Sequence, residues 1–161
     1  MIITKNNIID GFRSFADGHQ FLTDFDYGPT YEIGTSRQMT FPYMWVSEVP
    51  STLDIGGGSN IVPNHSYNIF FLDQVSDAIN PLDGNGLETT NAAEVMSDTF
   101  QYAQDFIIWF QSVFSTVGAK LSPQITYTPV FDETQDKVYG YFITISFRTV
   151  FKNCVLPWEE E

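Results

Sequence analysis

The chain has few of the residues that build disulfide, metal and catalytic sites. Its 161 residues include a single cysteine, Cys154, and two histidines, His19 and His65. One cysteine cannot form an intrachain disulfide, and a zinc site usually needs three or four Cys or His ligands at short spacing. No local pattern supports a Cys–His dyad, so Cys154 is interpreted as a small buried apolar residue. We therefore expect no metal, no cofactor, no catalytic residue and no enzymatic activity.

Basic residues are also scarce. Seven Lys and Arg stand against 20 Asp and Glu, which gives a formal net charge of −13 at pH 7. The basic residues are scattered from Lys5 to Lys152, so the chain should repel nucleic-acid phosphates and anionic membrane surfaces. No apolar run reaches the roughly 18 residues of a transmembrane helix, and the N-terminus lacks the pattern of a signal peptide. We expect a protein made in a cytoplasm and not bound to a membrane.

Apolar residues, by contrast, are abundant. They make up 43% of the chain, and aromatic residues make up 16%. A chain of this length and composition can bury the core of one domain. We predict a single domain over residues 1–161, with an extended loop or arm at 51–66 and a C-terminal tail at 153–161.

Residues 88–117 predict one long helix with more apolar surface than a single buried face requires. Its apolar residues recur at steps of three and four and form two neighbouring stripes. One stripe is Ala92, Met96, Phe100, Ala103, Ile107, Phe110, Phe114 and Val117, and the other is Val95, Tyr102, Phe106, Trp109 and Val113. Because a surface helix normally has one apolar stripe, we expect the second stripe to pack on another element, such as a second copy of the chain.

The remaining periodicity predicts an N-terminal helix over 5–17 and four strands over 41–49, 67–73, 125–131 and 139–147. Two hairpins separated by a long helix are typical of an α+β domain. We predict one antiparallel sheet of about four strands, with the long central helix and the N-terminal helix packed on one face. Gly118 is expected to end the long helix.

Several patterns have a functional and a structural interpretation. The triple glycine Gly56–Gly58 lacks the Gly-Lys-Ser/Thr of a phosphate-binding loop, so a flexible surface arm is favoured. The carboxylates near Asp24 and Asp26, and near Asp132 and Asp136, could bind a hard cation or serve an enzyme, but acidic turn residues are the commoner explanation. The many aromatic residues could stack on carbohydrate, but at strand and helix spacing they favour a core or a subunit interface.

Three features of the chain carry a resemblance to a known group of proteins. A strand runs into an acidic residue at Tyr67–Asp73, and the central helix follows a Gly/Asn-rich loop. The third feature is the ending Phe131-Asp-Glu-Thr…Gly140-Tyr-Phe-Ile…Asn153-Cys-Val-Leu-Pro157. Together with the element order, these resemble the tail-completion and tail-terminator (neck-ring) proteins of tailed bacteriophages, with an ending similar to those in phages of Bacteroides-type hosts.

The resemblance implies a non-enzymatic virion protein, made in the host cytoplasm and located at the neck or tail end. Copies would form a homo-oligomeric ring, a hexamer or a dodecamer, that joins neighbouring portal or connector proteins to the tail. Phage DNA would pass through the lumen without specific binding, and the acidic balance suits such a conduit. The alternative is a small acidic adaptor that buries its second helix stripe on a different partner.

For either function, the candidate site is an interface rather than an active site. A head-to-tail ring needs two different adhesive surfaces on each subunit. The long helix and the arm are the segments expected to supply them. The predicted interface residues are Phe106, Trp109 and Val113 on the helix, and Ile55, Gly56, Gly57, Gly58 and Ile61 on the arm. We expect Trp109→Asp to leave a folded monomer that no longer self-associates.

Overall fold

The structure, a computed structural model, describes residues 4–33, 38–55, 61–79, 88–132 and 137–149. Its two α-helices are α1 (Lys5–Gly18) and α2 (Ala92–Phe114). Short 3-10 turns lie at Thr30–Glu32 and Ser115–Val117. The strands are β1 (Asp24–Tyr27), β2 (Tyr43–Glu48), β3 (Thr52–Ile55), β4 (Ile61–Gln74), β5 (Asp77–Ile79), β6 (Glu88–Thr90), β7 (Lys120–Leu121), β8 (Thr126–Asp132) and β9 (Val138–Arg148).

The strands form one large sheet and one small ribbon. In the seven-stranded sheet the order is β1-β2-β4-β9-β7, with β3 also paired to β4 and β8 also paired to β9. The β1–β2 pair is parallel and the other pairs of this sheet are antiparallel. Strands β5 and β6 form the separate ribbon that leads into α2. The predicted α+β class is confirmed, although the sheet has more strands than the expected four.

In its described part, the segment predicted as an extended loop or arm at 51–66 consists mainly of strands, so the prediction of a loop is wrong there. Strand β3 pairs with the beginning of β4, from Thr52 opposite Asn64 to Ile55 opposite Ile61. We call this unit, β3 with residues 61–66, the arm hairpin. The residues between its strands, 56–60, lie outside the described residues, as does the predicted tail at 153–161. In the sequence, Pro63 and Gly56–Gly58 obscure the strand pattern, because Pro and Gly are depleted in strands.

The arm hairpin continues β2 through a β-bulge. Glu48 lies opposite Tyr67 and Thr52 lies opposite Asn64, so the three residues 49–51 face only the two residues 65–66. An extra residue of this kind bends the strand and increases its twist. Strands β2 and β3 are therefore two parts of one bulged strand alongside β4.

Both helices cover one face of the sheet, which we call the helix face. Alternate residues of β4 and β9 point to it, since side chains along a strand alternate between faces. The aromatic centre of this core is Phe12 of α1, whose ring centroid lies 5.4 Å from that of Tyr67 and 5.5 Å from that of Phe106. The principal buried residues here are Ile8, Phe12, Phe15, Tyr67, Ile69, Phe71, Phe106, Phe110, Phe114, Ile143, Ile145 and Phe147.

The opposite face, which we call the back face, has a smaller apolar cluster. Its buried members are Met39, Tyr43, Trp45, Phe70 and Leu72. Partly buried Ile33 and Phe41, from the segment before β2, pack against it. The Trp45 indole N–H donates to the carbonyl oxygen of Gly28 at 3.2 Å, which ties this cover to the sheet.

Candidate functional site

Phe106, the first predicted interface residue on α2, lies in the core of the chain itself. Its side chain is 0% exposed, and its ring centroid lies 5.2 Å from that of Phe15 and 6.0 Å from that of Phe71. A residue enclosed by α1 and the sheet cannot contact another subunit. The prediction that Phe106 is an interface residue is therefore wrong.

Trp109 lies partly buried between the two helices. Its ring centroid is 5.2 Å from that of Phe15 on α1 and 5.7 Å from that of Phe114 on its own helix. Gly11 lets α1 approach closely, because a Cβ there would lie 3.0 Å from the Phe114 ring. The element that covers the second stripe of α2 is thus α1 of the same chain. An aspartate at position 109 would be placed in this apolar contact, so we now expect Trp109→Asp to weaken the fold.

Val113, the third predicted residue on α2, remains exposed. Its exposed fraction is 43%, and that of Val117, one turn further along the chain, is 37%. Ile108 is 66% exposed but lies on the polar side of the helix. A single exposed apolar residue is ordinary on a protein surface. Among the three predicted interface residues of α2, Val113 is therefore the exposed one, and it lies near the C-terminal end of the helix.

Two of the predicted arm residues, Ile55 and Ile61, lie at the ends of the two strands of the arm hairpin. Ile55 and Ile61 face each other as its last described pair, and Gly56, Gly57 and Gly58 lie outside the described residues. Strand β9 ends at Arg148 opposite Asn64, so the arm hairpin extends beyond the end of β9. Leu53, which sequence reasoning missed, is 56% exposed on this hairpin.

The end of the sheet near the arm hairpin also holds two neighbouring cations. Lys120 of β7 lies directly opposite Arg148 of β9, and both residues are exposed. Within the described residues neither cation forms an ion pair. We call this region, with Leu53, Asp54, Val113, Val117, Lys120 and Arg148, the arm end. The two cations outweigh the exposed carboxylate of Asp54, so the region is basic on balance.

The opposite end of the sheet has the reverse charge. Asp73 lies near the end of β4, and Asp98 is exposed on the second turn of α2. Burial raises the pKa of Asp73, and the negative charge of Asp98 raises it further. A hydrogen bond from the backbone N–H of Gln74 lowers the pKa but does not cancel the increase. We call this region, with Asp73, Glu94, Asp98, Phe131 and Asp132, the acidic end. Its exposed apolar residue is Phe131, which is 60% exposed.

A cluster of titratable residues surrounds Glu48, where α1 begins. The Lys5 ammonium lies 2.5 Å from Oε1 and 2.7 Å from Oε2 of Glu48, and the Tyr27 hydroxyl donates to the same carboxylate. Burial alone would raise the pKa of Glu48, but these hydrogen bonds outweigh burial and hold the pKa below its usual value. Burial, together with the bond to Glu48, raises the pKa of Tyr27.

The cavity beside this cluster is small. It encloses about 240 Å³ and is lined by Lys5, Asn6, Ile9, Asp10 and Tyr27. Sites for small ligands usually enclose about 300–1,000 Å³. The Lys5 ammonium, the Glu48 carboxylate and the Tyr27 hydroxyl are satisfied by one another. We interpret the cluster as a set of stabilising interactions that attach the start of α1 to β1 and β2.

The other carboxylate groups that sequence reasoning raised do not form a cation site in the described part of the chain. Asp24 accepts hydrogen bonds from the backbone N–H and the hydroxyl of Thr40, at 3.1 and 3.3 Å. Asp136 lies outside the described residues. Over the described ranges, no three His, Cys, Asp or Glu side chains lie close enough together to hold a metal ion. Over the same ranges, neither helix has the length and apolarity needed to cross a membrane.

Comparison with known proteins does not add to this description. No protein-family model matches the chain, and no curated protein matches its sequence.

Proposed function

We propose that the chain is a structural virion protein of a tailed phage, which forms a ring at the head–tail neck or at the tail end. The ring joins portal or connector proteins to the tail and lets DNA pass. One observation carries the proposal: the two ends of the sheet present different and complementary surfaces. A head-to-tail ring requires two such surfaces on each subunit, repeated until the ring closes.

The two surfaces are separated by the length of the central strands. Strand β9 runs from Val138 at the acidic end to Arg148 at the arm end. At about 3.4 Å per residue, a strand of this length spans roughly 35 Å. One subunit therefore offers its basic end and its acidic end to two different neighbours. The order of the main elements supports the proposal further, because the phage resemblance implies a helix, a hairpin, a long helix and a closing hairpin. The chain has this order, with strand β1 and the β5–β6 ribbon in addition.

The alternative function, a small acidic adaptor, depended on an uncovered stripe of α2. Because α1 covers that stripe through Phe12, Phe15 and Gly11, the stripe offers little surface to a heterologous partner. An adaptor would have to use the arm end or the acidic end instead. Self-association separates the two functions, since a ring needs copies to bind one another and an adaptor does not.

The proposal is tested by the mass of the purified chain in solution. Light scattering coupled to size-exclusion chromatography is run over a wide range of protein concentration, with negative-stain images of each fraction. We expect a species of about six or twelve times the chain mass of 18.3 kDa, with a central hole in the images. A monomer at every concentration would contradict self-assembly and favour the adaptor.

A further inference from the structure

We infer that Lys120 and Arg148 at the arm end bind the acidic end of a second copy of this chain. The inference rests on the proposed ring and names the contact that would close it. Its starting observation is the arrangement of the two cations, which are opposite partners in neighbouring strands. Like charges directly opposite each other in a sheet are destabilising. A carboxylate that binds between the two cations would relieve their repulsion and so lower the free energy of the pair.

The other described cations already have partners within the chain. Lys5 pairs with Glu48, and the Arg13 guanidinium lies 5.5 Å from the centroid of the Phe25 ring. Lys137 also interacts within the chain. Lys120 and Arg148 are exposed and form no ion pair among the described residues. In a chain with a net charge of −13, this pair differs from its surroundings.

The acidic end is the partner that fits this pair. Glu94 and Asp98 are exposed one turn apart on α2, so both carboxylates can reach a neighbouring surface. The apolar residues match as well, since exposed Phe131 at one end has Leu53, Val113 and Val117 as counterparts at the other. Complementary charges of this kind set the register and the polarity of an interface. Copies would therefore associate head to tail, because contact between two equal ends would bring like charges together.

Charge reversal at each end tests the contact. The first variant carries Lys120→Glu and Arg148→Glu, and the second carries Glu94→Lys and Asp98→Lys. In the first variant both ends are acidic, and in the second the arm end is basic and the α2 carboxylates are replaced by ammonium groups. We expect each variant alone to associate at least about tenfold more weakly than the wild type, because like charges then face each other across the contact.

Mixing the two variants is the decisive measurement. Each contact in an alternating ring of the two variants pairs opposite charges, so the equimolar mixture should regain a ring-sized species by light scattering. A matched control carries Asp10→Lys and Asp17→Lys on the exposed side of α1, which changes the net charge as much as the second variant does. We expect this control to assemble like the wild type. Thermal unfolding of each variant alone verifies that it is folded.

The outcomes separate this inference from the proposed ring. A wild type that stays monomeric contradicts the proposed ring. A wild type that assembles, with both charge-reversed variants assembling equally well, overturns the inference and leaves the ring standing. Loss of assembly in both variants without recovery in the mixture also overturns it. In that case a variant without residues 150–161 shows whether the chain's own Glu159–Glu161 occupies the basic pair.

Discussion

The helix face and the back face of the sheet differ in how they are covered. On the helix face, α1 and α2 enclose a continuous aromatic core around Phe12 and Phe106. On the back face, the segment before β2 covers a small cluster around Trp45 and Phe70. Burial of apolar area is the main favourable term in folding. The comparison therefore indicates that the helix face, which has the larger buried cluster, contributes more of the stability than the back face.

The back face also changes character along the strands. The row that contains Trp45, Phe70 and Phe142 is apolar, and the next row towards the arm end is Ser47, Asn68, Thr144 and Thr126. In that row the Thr144 hydroxyl donates to Asn68 Oδ1 at 2.7 Å. In the following row, the hydroxyls of Ser66 and Ser146 lie 2.9 Å apart. Towards the arm end this face is thus polar, and cross-strand pairs of its side chains form hydrogen bonds.

The largest expected effect on stability comes from replacing one buried aromatic residue on each face by alanine. Phe106→Ala should lower the free energy of unfolding by about 3–5 kcal/mol, because it removes a fully buried ring from a closed core. Phe70→Ala should cost less, about 2–3 kcal/mol, since its cavity lies beneath a thin cover that can collapse. Urea denaturation followed by circular dichroism measures both. Equal losses would contradict the difference that we draw between the two faces.

A smaller effect is expected where β4 and β9 meet. A Cβ at Gly140 would lie 2.0 Å from the Phe71 carbonyl oxygen, so Gly140→Ala should force the two strands apart at a cost of about 1–3 kcal/mol. Gly18→Ala is the matched control, because a Cβ at Gly18 meets nothing within 4 Å. Thermal unfolding of the two variants makes the comparison. An unchanged Gly140→Ala protein would show that the strands separate freely at this point.

The smallest expected effect is on the pH dependence of stability, through the Glu48 cluster that attaches α1 to the sheet. The pKa of Glu48 is lowered in the folded chain, so its contribution to stability is fully present above the ordinary value of 4.5 and is lost as the pH falls through the lowered folded value. Glu48→Gln should remove this part of the pH dependence. Urea midpoints measured from neutral to acidic pH test it, with Asp17→Asn on the exposed side of α1 as the control. Identical pH profiles for Glu48→Gln and wild type would contradict the role of the cluster.

The sequence predicts the regular elements well where one face alternates clearly. Tyr67, Ile69 and Phe71 predict the centre of β4, and Gly118, with φ of 79°, adopts the left-handed conformation expected at the end of the helix. Strand β1 has no such signal, because Asp24–Tyr27 is held in place by its parallel partner β2. Short edge strands depend on their neighbours more than on their own residues.

The candidate site was harder to predict than the fold. Helical periodicity identifies the apolar residues of α2, but it does not show which stripe α1 will cover. This is why the interface prediction for Phe106 is wrong. Lys120 and Arg148 lie in separate strands, and only the register of β7 on β9 makes them neighbours. Charges that appear scattered along the chain can therefore form a pair in the fold. Val113 alone, among the predicted helix residues, lies where a partner can reach it.

The bulge at residues 49–51 gives the arm hairpin its orientation. Before the bulge, odd-numbered residues such as Tyr43 and Trp45 point to the back face, whereas after it the even-numbered Thr52 shares that face with Asn64. Leu53 consequently points to the same side of the sheet as the helices. Removing one residue from this stretch would shift β3 by one position relative to β4. Each side chain of β3 would then point to the opposite face of the sheet. The number of residues in the stretch 49–51 thus specifies the orientation of the arm hairpin. In homologous chains we expect insertions or deletions of two residues here to be tolerated more readily than those of one.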